Sequence, residues 1–508
     1  MLLRDGYNIF ISVPYYQEWI IMTIIGRRHE QNKLQKIYQS DQAEFVAVYG
    51  RRRVGKTYLI KQFFTNKADI FFRSSGIHKG SLKHQLAKFK TEIETTFYHA
   101  NKGSLLSPFK SWHEAFESLK YAIELFAGKK KVVIFLDEIP WMATPRSGLL
   151  EELDYYWNRY WSEDKRIKLI ICGSAASWII DNILHDTGGL HNRVTLRLAI
   201  DPFTLLESKE YLNYRHIKYN NEQTLALYMC IGGIPFYLNF IEKGLSAIQN
   251  INNICFHKKG ALYDEFNLLF ASLFKNYTAH EEIITYLAKK REGVSRHDIE
   301  DKFNYKGGRL TERLNELEEA GFILSFTPWK KERGIYYKII DEYTLFYLTW
   351  IAPKVKNSVA KNIDDQYWQV LSSTAAWKAW SGYAFEAICF KHINQIKKAL
   401  HIPDGSDVAS WRYMPGKDSN DTGVQIDLIF DRPDKIVTLC EIKYCSSPFN
   451  IDKKYAAYMR MREAIYSKII NTDKQIFHAM VVSGGLKKTM YSEEIISSVA
   501  TLNDLFIS

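Results

Sequence analysis

The sequence predicts an α/β protein of several domains, led by a parallel sheet with helices on both faces. Three observations predict it. Four short apolar runs, 45–49, 69–72, 132–136 and 168–172, lack polar alternation and are separated by helical segments such as 82–96 and 112–126. Strands buried on both faces between helices read as a parallel sheet. The chain has 508 residues, room for roughly three or four domains of ordinary size, each expected to bury its own core. Its composition, 46% hydrophobic, 25% charged and 14% aromatic, excludes disordered and low-complexity classes.

Residues 1–23 are expected to be a tail. Arg4, Asp5, Gln17 and Glu18 interrupt its apolar residues and no small-residue cleavage site is present, so it does not read as a secretory signal. Met22 stands directly before the first organised stretch and is an alternative start. No apolar run is long enough to span a bilayer and the mean hydropathy is −0.26, so no membrane partner is expected. Six cysteines (Cys172, Cys230, Cys255, Cys389, Cys440 and Cys445) show neither a CxxC pair nor metal-like spacing, which fits a reducing cytoplasm. A net charge of +11 with a pI near 9.0 points to a polyanionic partner, nucleic acid first; a merely basic protein is the plain alternative.

The sheet domain is expected over 24–204. Gly50-Arg51-Arg52-Arg53-Val54-Gly55-Lys56-Thr57 fits G-x-x-x-x-G-K-[ST] at every fixed position, between a strand and a helix-forming stretch. The glycines let the backbone N–H groups curl toward phosphate oxygens, at the positive end of a helix dipole. Lys56 would bridge the β- and γ-phosphates and Thr57 would place its hydroxyl on Mg²⁺. The run 132–136 ends in Asp137 and Glu138, and carboxylates at the C-terminal end of such a strand reach the ligand crevice. Asp137 would hold Mg²⁺ through water and Glu138 would orient and deprotonate the attacking water. Ser174, ending the run 168–172, would sense the γ-phosphate. Arg193 would touch it, in the same chain or from a neighbouring subunit, with a surface salt bridge as its plain alternative.

A helical lid is expected over 205–277. Its Gly232-Gly233-Ile234-Pro235-Phe236-Tyr237 is a helix break and restart near the nucleotide. Residues 278–340 give three helical periods, 283–291, 295–303 and 307–320, then a strand and a basic tip, the order of a winged helix-turn-helix. Ser295 suits an N-cap, and Leu310, Leu314 and Leu317 share one face. Lys306, Arg309, Arg313, Lys330, Lys331 and Arg333 stand on the outside, and all but Lys306 are candidates for phosphate contacts; the alternative is a packing arm for the sheet domain. Residues 341–380 read as a helical linker with Trp350, Trp368, Trp377 and Trp380.

The α/β pattern resumes over 381–508. Glu441 and Lys443 are two apart on a strand and share a face, Asp427 ends the preceding strand run, and Glu386 lies on a helix. Carboxylates this close repel unless a divalent cation sits between them. Asp427 and Glu441 would hold Mg²⁺ or Mn²⁺, Lys443 would stand beside the attacking water, and Glu386 would support them.

Residues 24–350 resemble the AAA+/STAND group of P-loop ATPases, specifically the archaeal-type ATPase family. The likeness is carried by Ile24, Ile25, Gly26, Arg27 and Glu30, by the loop 50–57, by Leu136–Trp141, by the Cys-Gly-Ser strand end and by 232–238. It implies an ATP-hydrolysing domain, a helical lid and a winged helix, with Arg27 and Glu30 near the adenine. The D…E-x-K order in 381–485 resembles the PD-(D/E)XK restriction-endonuclease fold, although Ile426 replaces the usual proline. Together the resemblances imply a Mg²⁺-dependent ATPase joined to a nuclease-like domain that acts on DNA in a prokaryotic cytoplasm, with a homo-oligomer required if Arg193 acts in trans. The competing reading is a nucleotide switch whose C-terminal domain binds a partner without cleaving.

Overall fold

The computed structural model describes residues 23–98, 105–184, 190, 192–274, 276–290, 292–305, 307–329, 334–357, 366–415 and 422–507. The expected tail, Thr23 excepted, lies outside the described residues, as do Lys306, Lys330, Lys331 and Arg333.

Five strands, β1 (Glu44–Tyr49), β2 (Ile70–Ser75), β3 (Val132–Asp137), β4 (Ile167–Cys172) and β5 (Leu196–Ala199), form one sheet in the order β2-β3-β4-β1-β5. All its pairings are parallel. Every residue of β3 and β4 is buried, as the unbroken apolar runs require. The helices Leu82–Phe97 and Trp112–Phe126 stand where they are expected. β5 is absent from the strands read in the sequence: only Leu198 of its four residues is buried, so an edge strand with polar alternation carried no apolar run.

Helices fill 205–273, and the break at Gly232 is real: the helix Asn221–Ile231 ends there at φ 66° and restarts at Pro235. The next module has helices Tyr277–Ala288, Arg296–Phe303 and Gly308–Glu319 and an antiparallel sheet of β6 (Val294–Ser295), β7 (Ile323–Phe326) and β8 (Tyr336–Ile339) in the order β6-β8-β7. Ser295 caps the second helix through Asp298 N at 3.1 Å, and Leu310, Leu314 and Leu317 are buried.

The boundary expected at 380/381 falls inside one helix, Ala375–Lys391. The tryptophans of 341–380 form a packed knot rather than a linker, with ring centroids 4.9 Å apart for both Trp368–Trp377 and Trp377–Trp380. The C-terminal sheet comprises β9 (Asp407–Tyr413), β10 (Val424–Asp431), β11 (Ile436–Lys443), β12 (Gln475–Val482) and β13 (Ile496–Thr501), ordered β13-β12-β11-β10-β9. β9, β10 and β11 pair antiparallel, and β11, β12 and β13 pair parallel. The cores are only partly separate: one cluster around Phe45, Trp112 and Leu136 belongs to the first sheet, and two, around Trp411 and Met480, belong to the C-terminal sheet. One buried apolar cluster runs from Leu34 and Val46 through Phe270 and Phe346 to Phe385 and Phe506. The helix Ala375–Lys391 and the segment around Phe506 pack on the helical segment, so one face of the C-terminal sheet shares a cluster with one face of the first sheet.

Candidate functional site

The loop 50–57 leaves the C-terminal end of β1 and enters the helix Lys56–Thr65. Gly50 has φ 131° and a Cβ there would meet the Ile200 carbonyl at 2.4 Å; Gly55 has φ 93°. These positions admit only glycine without strain. Lys56 is buried, and its ammonium donates to the carbonyls of Gly50 and Arg51, both at 2.8 Å. Burial pushes its pKa down, while nearby Cys172, Glu138 and Asp137 oppose that. A buried ammonium resting on its own loop carbonyls is placed to exchange them for phosphate oxygens.

Thr57, Asp137 and Glu138 stand close together here. Thr57 Oγ1 donates to Asp137 Oδ1 at 2.8 Å. Asp137 Oδ2 accepts from Ser75 Oγ at 3.1 Å and from Arg73 at 3.2 Å. Glu138 leaves β3 at φ 51° and its carboxylate accepts from both N and Oγ of Ser174 at 3.0 Å. Ser174 thus stands beside Glu138, joining the ends of β3 and β4. Arg27 is buried as well, donates to the Val54 carbonyl at 3.1 Å and lies 3.6 Å from Glu30.

Of these groups, Arg27, Lys56, Thr57, Arg73, Glu138 and Ser174 line a cavity of about 740 Å³. One end holds Lys56, Thr57, Arg73, Glu138 and Ser174; the other is apolar and aromatic, with Ile24, Ile25, Tyr211, Tyr214, Pro235 and Phe236. A cavity of this size with a cationic end and an apolar end suits a nucleotide. The loop arginines diverge. Arg52 and Arg53 line the cavity, and Arg53 pairs with Glu265 at 2.7 Å and lies 4.2 Å over the Phe236 ring. Arg51 turns away: it is ion-paired with Asp341 and packs over Phe322 at 5.2 Å.

Arg193 requires a correction. Two residues on, Thr195 N donates to the Phe45 carbonyl at 2.8 Å, which sets Arg193 near the N-terminal end of β1, opposite to the phosphate loop. Its side chain is exposed. Contact with the γ-phosphate in the same chain is therefore overturned. The parallel sheet is the reason: β5 runs alongside β1, so the residues preceding it lie at the far edge.

In the C-terminal domain the register Leu428↔Cys440 brings Asp427 and Glu441 to facing positions on β10 and β11. Asp427 Oδ2 accepts from Ile442 N at 2.9 Å. Burial, then Glu441 and Glu386, push the Asp427 carboxyl well above its ordinary range. Burial acts the same way on Glu441, but Lys443 and Arg462 outweigh it and hold its carboxyl low. Lys443 reaches Glu441 Oε1 at 2.5 Å, and Arg462, from the helix Lys453–Ile470, pairs with Oε2. Glu386 and Asp427 line a small cavity of about 60 Å³ whose other walls include Lys338 of β8. The four predicted side chains are thus neighbours. Among the described residues, however, no three His, Cys, Asp or Glu side chains converge as a metal-holding set.

Sequence reasoning missed Arg73, Ser75, Asp341, Glu265, Lys338 and Arg462. Arg73 had a signal: a charged residue at the C-terminal end of a strand neighbouring the one that ends in Asp137. The others act through tertiary contacts that no spacing announces.

Residues 25–241 match the family model described as an ATPase domain predominantly from Archaea. The chain is 24% identical over 434 residues to uncharacterized protein MJECL04 of Methanocaldococcus jannaschii, spanning 83% of this chain and 87% of that protein. It is 43% identical over 47 residues to uncharacterized ATP-binding protein MJ0423 of the same organism, which is 9% of this chain and 80% of that one. Among solved structures, the Walker-type ATPase PABY2304 of Pyrococcus abyssi is 17% identical with a TM-score of 0.46, covering 64% of this chain and 96% of that one. The Aeropyrum pernix ORC2 protein, solved with ADPNP and ADP, is 14% identical with a TM-score of 0.41, covering 67% and 98%. No described helix is long and apolar enough to cross a membrane. Through residues 25–241, with their phosphate loop on a parallel sheet, the chain belongs to the P-loop ATPases.

Proposed function

We propose that the chain couples ATP hydrolysis to a metal-dependent nuclease-like domain acting on DNA. The nucleotide half rests on the family match and on the cavity, whose buried Lys56 and whose Thr57, paired with Asp137 behind it, fit ATP with Mg²⁺. Thr57 and Asp137 would hold that ion, which offsets charge on the β- and γ-phosphates. Glu138 would orient water and take its proton, with Ser174 fixing its carboxylate. The module 277–340 has the helix and strand order of a winged helix, and its Arg309 and Arg313 are candidates for phosphate contacts.

One observation carries the nuclease half: Asp427 and Glu441 face each other across β10 and β11, with Lys443 two residues on. Burial first, and then repulsion from Glu441 and Glu386, raise the Asp427 carboxyl, and a divalent cation would relieve the repulsion. Mg²⁺ or Mn²⁺ held by Asp427 and Glu441 would supply an activated water; Lys443 would position it and Glu386 would support the site. A second reading, a nucleotide switch with a non-cleaving domain, is favoured by Arg462. Its guanidinium already balances Glu441 where a metal would. Arg193 belongs to this proposal only as a contact from a neighbouring subunit. In that case Arg193→Ala keeps ATP affinity and loses turnover about 10³-fold, and turnover per chain rises with protein concentration in the wild type.

The decisive experiment incubates the full chain with plasmid and linear DNA in Mg²⁺ or Mn²⁺, with and without ATP. The nuclease reading expects cleavage that disappears in Glu441→Ala and Asp427→Ala while ATPase activity persists. Intact DNA under every condition, with ATP turnover retained, leaves the switch. Lys56→Ala should abolish ATP binding, and Glu138→Gln should bind ATP and hydrolyse it slowly; normal turnover in Lys56→Ala would remove the nucleotide reading itself.

A further inference from the structure

With Arg193 at the far edge of the sheet, the γ-phosphate end of the cavity in one chain draws its cations from elsewhere. Arg73 stands there. It lies near the end of β2, beside β3, and lines the cavity with Lys56, Thr57, Glu138 and Ser174. One carboxylate spans Thr57 and Arg73: the Thr57 hydroxyl is 2.8 Å from Asp137 Oδ1 and Arg73 is 3.2 Å from Oδ2. A guanidinium that close to the magnesium-binding hydroxyl is within a side-chain swing of the γ-phosphoryl group. Among the described residues its Nε is buried and has no hydrogen-bond partner.

Three of the four other arginines that line the cavity are engaged away from this point, and the fourth, Arg52, belongs to the phosphate loop itself. Arg27 holds the Val54 carbonyl, Arg53 holds Glu265, and Arg215 holds the Leu238 carbonyl. Arg73 instead rests on the carboxylate that Mg²⁺ needs. Two cations cannot both take full advantage of Asp137, and the ligand that brings the metal also brings an anionic γ-phosphate.

We propose that Arg73 is a catalytic residue of ATP hydrolysis. It rests on Asp137 in the nucleotide-free chain and moves to the γ-phosphoryl oxygens when ATP and Mg²⁺ engage Thr57 and Asp137. This rests on the ATP-hydrolysing reading of the cavity. In the step it assists, the water oxygen bonds to the γ-phosphorus and the bond to the β–γ bridging oxygen breaks. That oxygen leaves with ADP, and the water proton passes to Glu138 and then to solvent. Arg73 offsets charge on the equatorial oxygens, which ADP lacks, so it also separates ATP from ADP.

The test measures Mg²⁺-dependent affinities for ADP and for AMP-PNP by calorimetry, alongside turnover, in the full chain. Arg73→Ala is expected to weaken AMP-PNP about 10-fold or more, leave ADP unchanged and cut kcat about 10²–10³-fold. Arg73→Lys should recover part of both losses. Ser75→Ala, which removes another Asp137 partner, should leave the AMP-PNP to ADP ratio as it is. If Arg73→Ala weakens both nucleotides equally, or neither, Arg73 only positions Asp137 and the proposal falls. Retained ADP affinity shows that the variant is folded. Should Arg73→Ala not fold, the ratio in Arg73→Lys and Arg73→Gln decides by the same criterion. Lys56→Ala runs alongside: loss of both nucleotides there upholds the cavity reading whatever Arg73 does, and retained binding would overturn that reading instead.

Discussion

Asp427 and Glu441 face each other on adjacent strands, yet their environments push them in opposite directions. Glu441 has two cations, Lys443 and Arg462, and is held ionised; Asp427 accepts only a backbone N–H among the bonds described for it and is pushed well above its usual 3.8 by burial and by Glu441 and Glu386. The pair is therefore poised to share one proton. Below pH 3.8 Asp427 is protonated folded and unfolded alike. Above it the folded state keeps the proton longer, so this group's contribution to stability is lost as pH rises through its folded value. Asp427→Asn mimics the protonated form. Its stability relative to wild type should be near zero at the acid end and grow steadily on going to neutral pH, as read by urea denaturation across a pH series in metal-free buffer. A pH-independent difference would mean that the Asp427 carboxyl titrates alike in the folded and unfolded chain, and a difference that shrinks toward neutral pH would mean that it is ionised and paired.

At the scale of elements, the sequence is most legible where a strand's pattern and its chemistry coincide. The loop 50–57, the strand ending in Asp137 and Glu138, and the strand carrying Glu441 and Lys443 each announce themselves locally, and each stands where the pattern puts it. How elements meet is not legible in this way. Arg193 is misplaced by the sequence pattern because β5 is a short edge strand without an apolar run, so the direction of the chain there is invisible. Arg73, Arg462 and Lys338 sit on correctly expected or ordinary elements, but their partners are set by sheet order and helix docking. Lys338 makes the cost of such a meeting measurable. It lies on β8, its ammonium 3.5 Å over the Phe390 ring, facing Glu386. Burial brings its pKa from 10.5 down to about 8, against the pull of Glu386. Below about pH 8 it is charged in both states and the full cost of burying the charge is present; between about 8 and 10.5 the folded state sheds its proton first and wild-type stability rises. Lys338→Met should therefore stabilise the chain at neutral pH, and the gain should shrink as pH climbs past about 8. A gain that persists undiminished up to about pH 10 would place the benefit in packing alone.

For the whole molecule, the phosphate loop is tied to a distant part of the chain. Arg51, second residue of the loop, is 3% exposed and ion-paired with Asp341, itself 1% exposed, directly after β8. Asp341 also caps the helix Glu342–Phe346 by accepting from Thr344 N at 2.7 Å. The same helix packs on Asn221–Ile231, and the shared apolar cluster continues into the C-terminal domain. The buried pair therefore ties the phosphate loop to the start of the helix Glu342–Phe346, beside the shared cluster. Asp341→Ala removes the partner of a buried guanidinium whose Nε and one terminal nitrogen already lack hydrogen bonds. Breaking a buried pair from one side costs about 3–5 kcal/mol, and the lost helix cap adds about 1 kcal/mol. Because the cluster beside the pair spans both sheets, the loss should appear as a shift of the main unfolding transition rather than as the early melting of one domain. The double variant Arg51→Met, Asp341→Leu replaces the pair with apolar side chains and should recover most of the loss, since the desolvation cost goes with the charges. Guanidinium titrations of the wild type and of these variants, followed by tryptophan fluorescence of the 350–380 knot and by nucleotide binding, read both ends of the connection. If Asp341→Ala unfolds the nucleotide site and the tryptophan knot at clearly different midpoints, the two halves are joined by contact only, and the Arg51–Asp341 pair is a local stabiliser of the loop.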